Sequence, residues 1–205
     1  MTTKAAFPMS AMERAALGPD LFRTQASWDE YWSLLGACAY RVEYQNGEII
    51  SMSYENDKHS VLTSRFDFLF QLYFTGAQFF PFNANRPLYI EACEAVFNPD
   101  ASVVIAPRSL YEYQKGLNAE TTPLVVVEVL SPSTRERDWT EKLPCYKQIP
   151  TLNTIIYAES DLPLLYCFQR MDNGVWEGSI LDSPEHTFPL HGQLVSIGAV
   201  YHRAL

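Results

Sequence analysis

An almost unbroken apolar run, Leu124-Val125-Val126-Val127-Glu128-Val129-Leu130, lies between Pro123 and Ser131-Pro132. Its length and β-branched content predict a strand covered on both faces. Elsewhere the pattern is helical. Ser27-Trp28-Asp29-Glu30 has the form of a capping box, with Trp28, Tyr31, Trp32 and Leu35 on one helical face and Gly36 as the stop. A second helix runs from His59 to Phe74 with Leu62, Phe66, Leu69 and Tyr73 as its stripe, widened by Val61, Phe68 and Leu72, and ends by Gly76.

Period-two segments fill most of the remainder. Tyr40 to Met52 predicts a hairpin turning at Asn46-Gly47, with Glu43 opposite Ile50, Arg41 opposite Met52, and Glu43 half buried. Strands are predicted at 78–82, 88–92 and 96–105, with regular pairing in the last starting only after Pro99. Residues 107–122 predict a polar loop or short helix, followed by the Glu128 strand and a helix from Arg135 or Thr140 to Gln148. Further strands are predicted at 154–157, 164–170 and 175–181, the last two joined by the turn Asp172-Asn173-Gly174. Residues 1–24 predict a partly ordered lead-in with a short helix at 11–17, and residues 25–205 a single domain. The order of elements predicts a mixed α and β fold, a sheet flanked by helices.

Composition narrows the function. The chain has 205 residues, 47% of them hydrophobic, enough for a substantial core. No apolar stretch reaches membrane-spanning length, and the start lacks the order of a signal peptide, so a cytoplasmic protein with no membrane partner is expected. Cys38, Cys93, Cys145 and Cys167 have no C-x-x-C spacing and are read as buried small apolar residues rather than a zinc cluster or disulfide framework. A formal charge of -9 argues against simple electrostatic capture of nucleic acid, although it does not report local patches.

Glu128 changes the picture, because a carboxylate in a strand buried on both faces needs a cation, a metal or a proton. Asp100 opens the preceding strand segment, and Lys142 follows on the next helix. Two carboxylates with a lysine nearby suit a hard divalent cation such as Mg²⁺. Taken singly, each residue has a plainer reading. Asp100 could cap a turn, Lys142 could be a solvated helix lysine, His59 a solvated helix end, and Glu128 half of an ion pair with a distant arginine.

Pro99-Asp100, Val127-Glu128-Val129-Leu130-Ser131-Pro132-Ser133-Thr134 and Glu141-Lys142-Leu143 with Tyr146 resemble the Uma-two family of the PD-(D/E)XK, restriction-endonuclease-like superfamily. The hairpin Glu43-Tyr44-Gln45-Asn46-Gly47-Glu48-Ile49 and the helix-opening His59 fit the same pattern, so the resemblance covers roughly residues 27–170. It implies a central mixed sheet flanked by helices, with an N-terminal helix and hairpin, and a Mg²⁺ or Mn²⁺ site acting on DNA. It also implies Asp100 and Glu128 as metal ligands, Lys142 as the catalytic lysine, and Glu43 and His59 as auxiliary groups lining the site. Leu130 stands where the superfamily's E-x-K motif has lysine, so Lys142 must reach in from the helix. A homodimer is expected if both strands are cut. Pro144, two residues beyond Lys142, would kink a helix that started early, which leaves open a catalytically silent nuclease-fold protein that binds nucleic acid or another protein.

Overall fold

The structure, a computed structural model, describes residues 7–51 and 56–204. Ser10 and Glu13 close a capping box on α1 (Ala11–Ala15), and β1 (Phe22–Gln25) follows. Arg14 on α1 is buried, and its guanidinium donates to the carbonyls of Gly18 and Ser51 at 3.0 and 3.2 Å. The lead-in, expected to be partly ordered with a short helix at 11–17, thus carries a helix at Ala11–Ala15 that Arg14 ties to the body of the fold.

Ser27 and Glu30 form the expected capping box on α2 (Trp28–Leu35), which stops at Gly36. Its aromatic face is core. Trp28 packs edge-on to Tyr44, and Trp32 stacks on Tyr113 with centroids 5.5 Å apart. The hairpin of β2 (Val42–Gln45) and β3 (Glu48–Ser51) has the expected register, Glu43 opposite Ile50, with Asn46 and Gly47 at φ 52° and 78°. Both turn positions need φ > 0, which Asn and Gly tolerate best. Met52, the expected partner of Arg41, lies outside the described residues.

Asn56 caps α3 (Asp57–Tyr73) by accepting the His59 amide. The helix buries Leu62, Phe66, Leu69 and Phe70, but Val61, Phe68 and Leu72 are exposed at 40%, 52% and 50%. The buried stripe widens toward Phe70 instead, because Val61, Arg65, Phe68 and Leu72 form the opposite flank of the same helix. There the Arg65 guanidinium lies over the Phe68 ring at 5.1 Å.

Next come β4 (Phe79–Asn83), β5 (Leu88–Ile90), a 3₁₀ turn at Glu91–Cys93, β6 (Ala95–Phe97) and β7 (Ala101–Ile105). The chain breaks between β6 and β7 around Pro99, as expected. Residues 107–122 are neither loop nor helix but a second hairpin, β8 (Leu110–Gln114) and β9 (Leu117–Glu120), turning through Gly116 at φ 88°. Tyr111 and Tyr113 point in toward α2 while Leu110, Glu112 and Gln114 point out, and the polar outward set hid the alternation.

The Glu128 strand is β10 (Pro123–Leu130). It leads into a helix made of α4 (Arg135–Arg137), a π-helical turn (Asp138–Lys142) and α5 (Leu143–Tyr146). Then follow β11 (Thr154–Glu159), β12 (Leu165–Arg170), β13 (Trp176–Leu181), the hairpin β14 (Thr187–Leu190) and β15 (Gln193–Ser196), and α6 (Ile197–Val200).

Two large sheets result. The mixed six-stranded sheet has the order β13-β12-β11-β10-β7-β4, and β10 pairs parallel with β11 and antiparallel with β7. One face packs Val125, Val127 and Val129 against α3 and the C-terminal hairpin. The other packs Val126 and Leu130 against Tyr146 and Ile149, and against Leu88 and Phe97 of the seven-stranded sheet β1-β3-β2-β6-β5-β9-β8. The fold is thus the expected mixed sheet with helices, but one face is shared by a helix and a second sheet. No described helix is long and apolar enough to cross a membrane.

The expectation for the cysteines is corrected in part. Cys93 and Cys145 are disulfide-bonded, while Cys38 and Cys167 are free, and only Cys145 and Cys167 are buried, Cys38 and Cys93 being partly exposed. With the bonded pair 52 positions apart in the chain, only the docking of α5 on the β5–β6 turn reveals the pairing.

Where the two sheets meet, Glu120 is fully buried and accepts from Arg86 at 2.7 Å and from Arg108. Arg108 in turn lies over Phe80 and Phe82 at 4.9 and 5.3 Å. Both guanidiniums are partly exposed and can turn to water, so Glu120→Ala is expected to cost about 2 kcal/mol, below the cost of breaking a fully buried pair. Urea denaturation measures this. A loss near zero would mean that the cluster does not join the sheets.

Candidate active site

The β-sheet register brings the first two predicted residues together. Val126 on β10 pairs with Ser102 on β7, and Val127 with Ala101, so the next step sets Glu128 beside Asp100. Residues two apart share a face, which places both carboxylates on the side of the sheet that carries Val126 and faces the helix of Lys142. Asp100 sits just before β7, freed from regular pairing by Pro99. Its Oδ2 accepts the Val129 amide at 2.7 Å and lies 3.2 Å from His59 Nε2. His59 is therefore not a solvated helix end; it is buried in the first turn of α3.

Lys142 reaches Glu128 from the distorted stretch just before Pro144. Proline has no amide for the carbonyl of Thr140, and its ring would press on that carbonyl in a regular helix. The chain widens instead into the π turn, closed by the Leu143 amide on the Asp138 carbonyl. Such turns often occur at functional sites. The helix starts at Arg135, the early of the two expected starts, and the irregularity falls where Lys142 leaves it, yet the Lys142 side chain is buried.

Lys142 is 1% exposed, and its Nζ lies 3.0 Å from Glu128 Oε1, 3.2 Å from Glu43 Oε1 and 3.5 Å from Asp138 Oδ1. Tyr146, one turn on, donates its hydroxyl to Glu128 Oε1 at 2.5 Å. Glu43 is fully buried rather than half buried and sits behind Lys142. Its carboxylate accepts the Asn98 amide at 2.7 Å and is paired with the buried Arg137. The structure therefore brings all five predicted residues into one connected cluster. Asp100, Glu128, Lys142 and His59 line a cleft of about 590 Å³, together with Asp138 and the hydroxyl-bearing rim Ser131-Pro132-Ser133-Thr134.

Sequence reasoning missed Arg137 and Asp138. Asp138 could have been found four residues before Lys142 on the same helix. Arg137 had no local signal, because its partner Glu43 is 94 residues away.

Electrostatics follow from burial. Glu128 is pushed up to about 8 by burial, with Asp138, Asp100 and Glu43 adding to the rise and Lys142 opposing it. Burial raises Asp138 as well. For Lys142, burial alone would lower the pKa, but Glu128, Glu43 and Asp138 outweigh it and keep the ammonium charged. Burial would likewise raise Glu43, but Arg137, Lys142 and the Asn98 amide hold it below the usual carboxylate range. Leaving His59 aside, four nearly buried carboxyl groups face two cations. Fully ionised, the cluster carries two negative charges too many.

A divalent cation would balance that excess, and the carboxylates of Asp100 and Glu128, which both line the cleft, could offer it hard donors. Among the described residues, no group of three or more His, Cys, Asp or Glu side chains is arranged to hold an ion. A two-carboxylate set leaves the other positions to water, which suits Mg²⁺ and Mn²⁺ better than zinc.

Similarity to known proteins bears on the family and the fold. The family model Uma2, described as "Putative restriction endonuclease", matches residues 28–194. The protein slr1290 of Synechocystis sp. is 31% identical over 134 residues, which cover 65% of this chain and 68% of that one. A second Synechocystis protein, sll1609, is 26% identical over 134 residues, covering 65% and 75% of the two chains. A crystal structure from Anabaena variabilis, described as a putative nuclease belonging to DUF820, superposes with a TM-score of 0.67 at 20% identity, covering 86% of this chain and 98% of that one. The last shows a shared fold. With the model matched across β10, the Lys142 helix and all strands of the two large sheets but β1, the chain belongs to the Uma2 family of restriction-endonuclease-like proteins.

Proposed function

We propose that the protein is a metal-dependent endonuclease that hydrolyses DNA phosphodiester bonds through an activated water. The observation that carries this reading is the pair Asp100 and Glu128 on one face of the sheet, opening on a cleft, with the buried ammonium of Lys142 bonded to Glu128. Bound between these carboxylates, Mg²⁺ or Mn²⁺ would supply Lewis acidity toward the scissile phosphate.

The chain's own groups do the rest. Lys142 keeps a positive charge beside Glu128, where it offsets negative charge developing on the phosphoryl oxygens and orients the attacking water. Tyr146 fixes the rotamer of Glu128. His59 and the Val129 amide hold one oxygen of Asp100, leaving the other toward the cleft. Glu43 and Arg137 position Lys142 from behind.

Nicking of supercoiled plasmid in Mn²⁺ tests the proposal. Asp100→Ala and Glu128→Gln are each expected to lose the metal-dependent activity, by about 100-fold or more if each removes a stabilising contact at the reacting centre. Activity unchanged in the Asp100 variant would sink the assignment. A folded wild-type chain that binds Mn²⁺ and DNA yet does not nick would favour the silent binding protein.

A further inference from the structure

The geometry points to the Cys93–Cys145 disulfide as a thiol-exchange site that controls the helix carrying Lys142. Cys145 lies between Pro144 and Tyr146, three residues after Lys142, and Cys93 ends the 3₁₀ turn between β5 and β6. The bond thus joins the catalytic helix to the turn that leads into β6, whose Phe97 lies beneath Lys142 and Arg137 at 5.8 and 5.3 Å and meets the Tyr146 ring at 5.6 Å.

The helix depends on that tie more than a regular helix would. Pro144 removes one backbone hydrogen bond, and the π turn before it leaves only four α-helical residues, Leu143–Tyr146, to hold the far end. Reduction removes the covalent restraint at the point where the ladder is already weakened. Lys142 and Tyr146 both approach Glu128 from this stretch, so its loosening acts directly on the site.

The two sulfurs are also unequal in a way that favours exchange. Cys93 is partly exposed, flanked by exposed Ala92 and Glu94, whereas Cys145 is buried at 5%. The Gln45 side-chain amide donates toward the Cys145 sulfur at 3.7 Å. A thiolate of a dithiol reductant attacks the sulfur of Cys93, the more exposed residue of the pair, and the S–S bond breaks with Cys145 leaving as a thiolate. The Gln45 amide supports that leaving charge until it takes up a proton. The reductant's second thiol then displaces Cys93 from the mixed disulfide. Two electrons and two protons pass from the dithiol to the cysteines, and the reductant ends as its own disulfide.

The full chain, oxidised or reduced with dithiothreitol, is the test. Native alkylation is expected to label Cys93 and Cys145 only after reduction. Amide hydrogen exchange over residues 138–146 is expected to speed up by about tenfold on reduction, while the β10–β11 pairing stays protected. The nicking rate, which rests on the nuclease reading, is expected to fall by about fivefold and to return on reoxidation, with KM unchanged. Cys93→Ser should match the reduced wild type and ignore the reductant. Both cysteines alkylated without reduction, or equal exchange over 138–146 in the two states, overturns the inference. Faster exchange on reduction in a protein that never nicks would leave the control of the helix standing and remove only the nuclease reading.

Discussion

Lys142→Met is expected to lower nicking per folded molecule by about 100- to 1,000-fold, the scale on which loss of one preorganised group facing developing charge acts. Methionine keeps nearly the length of the side chain and its contact with Phe97, so the change removes charge more than volume. The same substitution leaves Glu128, Glu43 and Asp138 facing one another with Arg137 as the remaining buried cation. Breaking a buried ion pair from one side costs about 3–5 kcal/mol, and three carboxyl groups lose their shared partner here. The sign of the pH effect follows. Without the ammonium these carboxyl groups are harder to ionise, so the variant is most destabilised at high pH and recovers as the pH falls and they protonate. Urea melts at two pH values check the stability, and nicking measured where circular dichroism shows a folded chain checks the rate. Wild-type nicking by that folded variant would remove Lys142 from the chemistry.

Elements and residues that announce themselves locally were legible in the sequence. The β10 run, bounded by prolines, is a central strand, and the hairpin at Asn46-Gly47 has the expected register because its turn fixes it. Glu128 stood out because its surroundings were apolar, and its partner on the helix could be named because the family motif spans both. What stayed hidden depends on contacts distant along the chain. The Arg137–Glu43 pair, the Cys93–Cys145 bond and the Glu120 cluster join segments whose nearness is set only once the two sheets pack. The hairpin β8–β9 was missed because its inward positions are tyrosines amid polar residues, and an aromatic layer on α2 decides the period. On α3 the apolar residues exceed what one face can bury, so composition alone could not choose between the Phe70 and Phe68 flanks. Pro144 was the instructive case. Its clash with the preceding turn was legible, but not that the chain would yield by widening while Lys142 stays buried.

Mn²⁺ is expected to raise the thermal midpoint of the wild type, and to raise it more near pH 8.5 than near pH 6.5, because a ligand that binds only the folded state adds about 2.7 kcal/mol at one hundred times its dissociation constant. The pH sense comes from Glu128. Its folded pKa of about 8 lies above that of an unfolded glutamate, so between the two values the folded metal-free protein holds a proton that the unfolded chain releases. That proton stabilises the metal-free protein at low pH, and the contribution is lost by about 1.4 kcal/mol per unit as the pH rises toward 8. An ion at the cleft must displace the same proton, so its affinity climbs over the same window and levels off above it. The two slopes oppose each other: rising pH weakens the metal-free fold and strengthens metal binding. Glu128→Gln removes both, leaving a protein whose melting responds little to Mn²⁺ and whose stability is flatter between pH 5 and 8. Asp100→Ala separates the terms, since it removes one ligand but leaves Glu128 to titrate; it should lose the Mn²⁺ shift while the metal-free protein still loses stability with rising pH, over a window that ends at lower pH because Asp100 no longer raises Glu128. A Mn²⁺ shift that persists in both variants would place the ion elsewhere, and the charge excess of the cluster would then have to be met by protons alone.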